Sequence, residues 1–277
     1  DREGFPRVRP NIRTFNAIID SYAYNDRVAE AEDLLLSMID NYESSAARSM
    51  DGIEDEELPV RPDIFSFNTV IQQWARSRTP EGGRRAEAIL DRMIEFHQNG
   101  NADVRPDERS FASIIYHYTK GAGRMDPKAP DRALKLLRRM IGMYRQGYKE
   151  IFPTFQNKTN SMYTFTSVID AHSVLRRSNS GIIADELLQA MAGLSTKIDA
   201  LRPNTYTCLS VLYAWSSCGS VDAGERATKL LQRMERDMAE AAKRGDESRM
   251  KTTQRCYILA QTAWARSPSE RKAEGAM

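Results

Sequence analysis

The sequence predicts an all-α fold, a superhelical solenoid of antiparallel helix hairpins. Two observations carry this prediction: one helical motif recurs five times along the chain, and a second, aromatic helical pattern precedes each copy. In addition, Arg-Pro followed by Asn or Asp opens several of the resulting units. Repeats at periods of tens of residues are typical of solenoids, because a single short hairpin cannot bury its apolar face and must stack on its neighbours.

The recurring motif is Ala-x-x-(Leu/Ile)-Leu-x-x-Met, and it predicts the second helix (helix B) of each unit. Its spacing of i, i+3, i+4 and i+7 places four side chains on one face of an α-helix. Alanine lets a neighbouring helix approach closely, while Leu and Met fill the seam between helices. The five copies begin at Ala31, Ala86, Ala133, Ala184 and Ala227.

The first helix (helix A) of each unit is predicted from aligned aromatic and apolar places. Pro followed by Asp or Asn is a typical helix start, because Pro suits the first helical turn and Asp or Asn caps the free N–H groups. Such starts occupy residues 9–11, 61–63, 105–107 and 202–204. The leading aromatic place of helix A is held in turn by Phe15, Phe67, Phe111, Phe165, Cys208 and Tyr257.

We therefore predict one array over residues 1–277. The chain begins at Asp1 and ends at Met277 inside a predicted helix, so we expect a fragment whose targeting segment, if there is one, lies outside it. Residues 43–60 are predicted to form a solvated acidic loop, since 43–59 contain six acidic residues and one basic residue. The predicted repeats are 10–42, 61–100, 105–150, 160–198 and 202–245, followed by a truncated sixth at 252–277 whose helix B starts near Arg271.

Composition limits the classes of protein to be considered. With 41% hydrophobic and 28% charged residues and a net charge of +2, the chain can fold, and any basic surface must be local. Cys208, Cys218 and Cys256 form no CxxC pair, which argues against a disulfide scaffold and fits a reducing compartment. No apolar run approaches the ~20 residues that span a bilayer, so no membrane partner is expected.

The first unit resembles the consensus of the pentatricopeptide-repeat (PPR) family at both helices, over residues 11–22 and 26–38. Units two and three keep Arg-Pro-Asp and the Ser-Phe pairs at residues 66–67 and 110–111. The units are more widely spaced than in the family, and units four and six lack the Arg-Pro start. The resemblance implies a right-handed superhelix related to tetratricopeptide arrays, single-stranded RNA as partner, and a mitochondrial or chloroplast role in RNA processing, stability or translation.

The resemblance also implies where bases are read: at the residue after the helix A aromatic, together with the residue after the next unit's Pro. Asn paired with Asp favours uracil by the family's rule, and Thr paired with Asn favours adenine. The pairs with a preference are Asn16 with Asp63, Asn68 with Asp107, and Thr166 with Asn204. Two further pairs, Ala112 with Ser161 and Leu209 with Thr253, match no clear preference.

A simpler interpretation stands beside this one, because Asn and Asp at helix starts are ordinary caps. Capping alone would explain Asn11, Asp63, Asp107 and Asn204. It explains Asn16 and Asn68 less well, since both lie one turn inside a predicted helix.

Flat side chains occupy the place three residues before each base-reading place. They are predicted either to stack on bases or to be exposed helix-start residues that cover a neighbour. These residues are Arg13, Phe65, Arg109, Tyr163, Tyr206 and Arg255. A second basic set is predicted to form a solvated outer face rather than a phosphate track: Arg84, Arg85, Arg138, Arg139, Arg176, Arg177, Arg233 and Arg236.

No feature of the sequence predicts an enzyme. It contains neither GxxxxGK(S/T) nor GxGxxG, and His97, His117 and His172 are far apart and are expected to be packed rather than catalytic or metal-binding. We expect no metal, cofactor or small-molecule substrate. The alternative to RNA binding is a protein-interaction scaffold of the tetratricopeptide kind, or a structural subunit of a ribonucleoprotein. Wide spacing and near-neutral charge favour that alternative, whereas the retained Asn–Asp and Thr–Asn pairs favour RNA.

Overall fold

A computed structural model describes residues 9–50, 59–77, 79, 81–120, 126–152, 160–243 and 250–268. These residues contain eleven α-helices and no strand, which confirms the predicted all-α class. Odd-numbered helices are the predicted A helices and even-numbered helices the predicted B helices. Their bounds are α1 Ile12–Tyr24, α2 Val28–Met50, α3 Ile64–Arg76, α4 Gly82–Gln98, α5 Glu108–Thr119, α6 Ala129–Arg145, α7 Asn160–Val174, α8 Ser180–Ser195, α9 Thr205–Cys218, α10 Ala223–Lys243 and α11 Gln254–Arg266.

The chain divides into two compact units, residues 1–126 with 142–151 and residues 127–141 with 152–277. In the first unit, α3 packs between α1 and α5, α2 packs against α1 and α3, and α4 packs against α3 and α5. In the second, α9 packs between α7 and α11, α8 packs against α7 and α9, and α10 packs against α9 and α11. Within each unit the A helices thus lie side by side with B helices against them, which is the packing of a hairpin-repeat solenoid.

The core of both units lies along the helix B seam that the motif predicted. All five motif alanines are fully buried, and the motif methionines are at most 3% exposed. Helix A contributes its aligned apolar side chains, among them Phe67, Phe111 and Phe165, which are also fully buried. Burial of such side chains is the main favourable term in folding, so this seam holds each hairpin to the next.

Helices α1, α3, α5 and α9 each begin with a side-chain cap. The side-chain oxygens of Asn11, Asp63, Asp107 and Asn204 accept a hydrogen bond from the backbone N–H three residues on, at 3.1, 2.9, 3.0 and 3.0 Å. These bonds satisfy donors that the first turn of a helix leaves free. The capping interpretation therefore holds for all four residues, and any further role must be compatible with it.

A glycine on helix B receives the aromatic ring of the following helix A. The rings of Tyr118, Trp215 and Trp264 lie over Gly83, Gly181 and Gly224, so closely that a Cβ atom on any of the three glycines would fall within 2.7 Å of the ring. Each ring then donates a hydrogen bond to the side chain one turn further along helix B. Those acceptors are Glu87 for Tyr118, Asp185 for Trp215 at 3.1 Å, and Thr228 for Trp264 at 2.9 Å.

The acidic segment after the first hairpin differs from the prediction. Helix α2 continues to Met50, so the predicted loop is wrong for residues 43–50. Contacts with α4 stabilise this extension, and a count of charged residues does not reveal them. Glu43 forms an ion pair with Arg92 of α4 at 2.5 Å, and the ring of Tyr42 packs edge-on against Phe96. Residues 51–58 of the predicted loop and the predicted sixth helix B lie outside the described residues.

The two outermost A helices are less buried than their aligned places predicted. Ile18 of α1 is 40% exposed and Tyr257 of α11 is 42% exposed, whereas the corresponding residues of the inner helices are buried. Among the described residues, α1 has a neighbouring A helix on one side only, and the same is true of α11. The aligned places of these two helices are thus less buried than the repeat pattern predicted.

We expect Gly181→Ala to destabilise the protein by about 1–3 kcal/mol, because the new methyl group would lie 2.2 Å from Cε3 of Trp215. Gly193→Ala on the same helix is the matched control. It has no atom within 4 Å of the added Cβ and should instead stabilise by about 0.4–1 kcal/mol. Urea unfolding followed by circular dichroism measures both changes, and effects of the same sign would contradict the predicted ring contact.

His172 is fully buried on α7, and its Nε2 lies 3.0 Å from the carbonyl oxygen of Pro130. A carbonyl only accepts, so Nε2 carries the proton of the neutral ring. Its Nδ1 has no hydrogen-bond partner within the described part of the chain. Burial lowers the pKa of His172 below its ordinary value of 6.5, although the Pro130 carbonyl and Asp131 act in the opposite direction. This His is therefore packed, as expected, and kept neutral.

The lowered pKa of His172 predicts a loss of stability in acid. Below the unfolded pKa of 6.5 the unfolded chain binds a proton that the folded chain resists, so stability falls as pH drops through that value toward the folded pKa. His172→Gln keeps a donor for Pro130 but cannot titrate. The difference in unfolding free energy between wild type and variant should be constant above about pH 7.5 and change by at most about 1.4 kcal/mol per pH unit below 6.5. Parallel pH dependences would contradict this.

Candidate nucleic-acid interface

Asn16 and Asp63, predicted as a base-reading pair, are hydrogen-bonded to each other. Asn16 lies on α1 and Asp63 caps α3, so the packing of α1 against α3 brings them together. Nδ2 of Asn16 donates to both carboxylate oxygens of Asp63, each at 3.2 Å. Oδ1 of Asn16 accepts from the hydroxyl of Ser66 at 2.6 Å. The carboxylate of Asp63 thus caps its own helix and also accepts hydrogen bonds from the preceding repeat.

Asn68 and Asp107 show the same arrangement one repeat further along the chain. Nδ2 of Asn68 donates to Oδ1 of Asp107 at 3.2 Å, and Oδ1 of Asn68 accepts from the hydroxyl of Ser110 at 2.8 Å. Asn68 is 7% exposed, and Asp107 is half-buried. Two consecutive junctions of the first compact unit therefore carry the same set of Asn, Asp and Ser side chains in the same bonding pattern.

The bonding pattern fixes which end of each amide faces the carboxylate. A carboxylate only accepts hydrogen bonds, so the NH2 group must face it and the amide oxygen must face the serine hydroxyl. Each amide retains a second N–H, and each carboxylate retains lone pairs beyond those used by the cap. The pair thus presents a donor and an acceptor side by side.

The third predicted pair is not joined in this way. The hydroxyl of Thr166 donates to carbonyl oxygens of its own helix, those of Met162 and Tyr163, each at 3.1 Å. Asn204 caps α9 through the backbone N–H and the hydroxyl of Thr207, at 3.0 and 3.2 Å. Thr166 and Asn204 make no hydrogen bond with each other in the described part of the chain. Their base-reading role stays a prediction.

The predicted stacking residues are all exposed on the A helices. Phe65, Tyr163 and Tyr206 expose 52%, 50% and 78% of their surface. Arg13, Arg109 and Arg255 are also exposed. The structure therefore leaves these flat groups free of the core, as either interpretation requires, and their contact with bases stays a prediction.

The basic residues of helix B and its preceding turn are engaged largely with carboxylates. Arg85 pairs with Glu32 at 3.1 Å, Arg138 with Glu186 at 2.7 Å, and Arg177 with Asp131 at 2.9 Å. In each case the partner belongs to another predicted repeat, and all of these residues except the buried Glu32 are at least partly exposed. Exposed pairs contribute little stability each. They do reduce the positive charge of this face, which favours the predicted solvated outer surface over a phosphate track.

Two residues of this site, Ser66 and Ser110, were missed by sequence reasoning. Both occupy the third helical place after the cap, where a hydroxyl completes a capping box. That signal was present, because Thr14 and Thr207 hold the same place in α1 and α9. What the sequence did not indicate is that the hydroxyl also reaches the asparagine of the preceding repeat.

The described residues contain no group of three or more His, Cys, Asp or Glu side chains arranged to hold a metal ion. His117 is buried between the backbone N–H of Gly83 at 3.1 Å and the carbonyl of Ala75 at 2.9 Å, which is a packing role. Within the same part of the chain, no helix combines the length and apolar character needed to cross a bilayer.

Comparison with known proteins bears on the whole arrangement. The family model described as PPR repeat matches residues 13–42, which span most of α1 and the first two thirds of α2. A pentatricopeptide repeat-containing protein of Arabidopsis thaliana is 27% identical over 106 residues, covering 38% of this chain and 14% of that protein. The chain thus aligns with a small part of its relative. In its hairpin packing and its repeated helix A and helix B motifs, the chain is similar to pentatricopeptide-repeat proteins, and residues 13–42 match the repeat itself.

Proposed function

We propose that this chain binds single-stranded RNA along the exposed faces of its A helices and selects bases at the pairs Asn16 with Asp63 and Asn68 with Asp107. The observation that carries the proposal is the contact of each amide with a carboxylate from the next repeat, at 3.2 Å. Helices stacked side by side repeat this contact at regular intervals, as successive bases of a single strand require.

The chemistry of the pair supports uracil as the preferred base. The Watson–Crick edge of uracil presents an acceptor, O4, beside a donor, N3–H, and the Asn–Asp pair presents a donor beside an acceptor. Cytosine carries an unprotonated N3 at the same place, and this lone pair would face the carboxylate. A base that leaves a half-buried carboxylate unpaired, or repels it, is rejected more strongly than one that merely fits poorly.

Stacking is proposed as the second, sequence-independent contribution. Phe65, Tyr163 and Tyr206 present exposed rings, and Arg13 and Arg109 present flat guanidinium groups, at the same place on successive A helices. A base stacked on an aromatic ring gains about 1–3 kcal/mol whatever its identity. Such contacts would hold the strand also at repeats whose base-reading place is apolar.

We further propose that the RNA is organellar and that the chain acts in its processing, stability or translation, in a mitochondrion or chloroplast. This follows the family resemblance, and the matched relative comes from a plant. Fluorescence localisation of the complete protein, together with sequencing of RNA crosslinked to it, tests both parts. Crosslinked RNA drawn only from the nucleus or cytosol would contradict the proposal.

A protein-interaction scaffold is the second candidate, and one observation favours it. On α9 and α11 the base-reading places hold Leu209 and Ile258, which cannot hydrogen-bond to a base edge, and Ile258 is 51% exposed. Exposed apolar side chains on a helix face are more typical of protein contacts than of base readout.

The decisive experiment measures binding of this chain to short uridine-rich, cytidine-rich and adenosine-rich RNAs by fluorescence anisotropy at low and moderate salt. We expect a preference for uridine over cytidine of about tenfold or more, and affinities that fall with salt as phosphate contacts are screened. Asn16→Ala/Asn68→Ala should abolish the preference while keeping weaker binding through stacking and phosphates.

Asn99→Ala is the matched control, because Asn99 is exposed at the end of α4, outside the proposed interface. It should leave both affinity and preference unchanged. Equal affinity of the wild type for all three RNAs would refute base reading. Absence of binding even at low salt would leave the scaffold as the better proposal.

A further inference from the structure

We propose that Ser66 and Ser110 are positioning residues that determine base specificity, because each orients the amide of a base-reading asparagine from the preceding repeat. This inference rests on the proposed RNA-binding function and deepens it. Neither serine is expected to contact RNA, since both are fully buried. Their effect must pass through Asn16 and Asn68.

The hydroxyl geometry supports this role at both junctions. The hydroxyl of Ser66 lies 2.6 Å from Oδ1 of Asn16 and 3.0 Å from Oδ1 of Asp63. The hydroxyl of Ser110 lies 2.8 Å from Oδ1 of Asn68 and 3.0 Å from Oδ1 of Asp107. A hydroxyl has a single proton to donate, and at both junctions the amide oxygen is the nearer acceptor.

The consequence is that each amide is held at both ends. Its NH2 group donates to the carboxylate and its oxygen accepts from the serine. A half-turn of the amide would place two acceptors, Oδ1 and the carboxylate, against each other. The second N–H of the amide therefore points in one fixed direction. A fixed donor selects bases that offer an acceptor there, whereas an amide free to rotate could bind either a donor or an acceptor on the base.

The serine matters most when a base is bound. In the proposed complex the carboxylates of Asp63 and Asp107 accept a hydrogen bond from the base, which competes with their bond to the amide. The serine hydroxyl is buried and does not compete for the base. It is therefore the anchor of the amide that persists in the complex.

Helix capping alone does not account for these hydroxyl bonds. Thr14 and Thr207 hold the same place on α1 and α9, but the bonds of their hydroxyls are to the caps of their own helices, Asn11 at 3.4 Å and Asn204 at 3.2 Å. On α3 and α5 the hydroxyl at this place reaches the asparagine of the preceding repeat as well, Asn16 and Asn68.

The test is the preference of Ser66→Ala/Ser110→Ala for uridine-rich over cytidine-rich RNA, measured by anisotropy alongside the wild type. We expect the preference to fall about 3- to 10-fold, the effect of losing one intramolecular hydrogen bond. Ser66→Thr/Ser110→Thr keeps the hydroxyls and should restore the preference. Thr14→Ala removes a capping hydroxyl that contacts no base-reading residue, so it controls for the loss of a cap and should leave the preference unchanged.

The outcomes separate this inference from the function on which it rests. An alanine double variant with wild-type preference overturns the positioning role and leaves RNA reading intact. The same holds if the alanine and threonine variants lose preference equally, since that result indicates packing rather than hydrogen bonding. A wild type without base preference overturns both proposals. Circular dichroism and thermal melting of every variant establish that the folded protein is being compared.

Discussion

The constraint on which the rest of the site depends is the carboxylate at the start of α3 and of α5. Asp63 and Asp107 each accept from the backbone N–H of their own helix and from the amide of the preceding repeat. A cap is present because the first turn of a helix leaves donors free. The stacking of A helices then brings the asparagine of the preceding repeat to the same carboxylate. Helix initiation and the proposed recognition therefore use one side chain, and the capping and base-reading interpretations are compatible.

A second contact between neighbouring repeats joins the aromatic ring of a helix A to the preceding helix B. The rings of Tyr118, Trp215 and Trp264 require a glycine on helix B and a polar acceptor one turn later. The first repeat lacks this pattern: Val28 stands in the glycine's place, and Glu32, in the acceptor's place, pairs with Arg85. Accordingly, Nε1 of Trp74 is buried without a hydrogen-bond partner among the described residues. The contact between ring and glycine is therefore a feature of some junctions, whereas the seam of Ala, Leu and Met is common to all.

Much of this fold could be predicted from periodicity, because the helix B motif places its buried face at a spacing that only an α-helix satisfies. The error at residues 43–50 has a physical reason: a run judged by its acidity is stabilised as helix by Tyr42 and by the pairing of Glu43 with Arg92 of a later helix. Asn16 and Asn68 could be selected from the sequence because the family resemblance implies a base-reading role at their place, and capping explains them less well. For Ser66 and Ser110 the sequence predicts a capping role only, because the hydrogen bond of each hydroxyl to an asparagine joins residues some 40–50 positions apart.

The distribution of polar pairs along the chain bears on how RNA would be selected. The two Asn–Asp–Ser sets lie in the first compact unit, at consecutive junctions. In the second unit, Thr166 satisfies its hydroxyl within its own helix, and Leu209 offers no hydrogen bond to a base edge. On the proposed function, specificity is therefore concentrated in two adjacent bases, each worth about 1–3 kcal/mol of discrimination. On the same proposal, the exposed rings of Tyr163 and Tyr206 in the second unit contribute affinity that does not depend on base identity. On the same proposal, a preferred target contains two adjacent uridines.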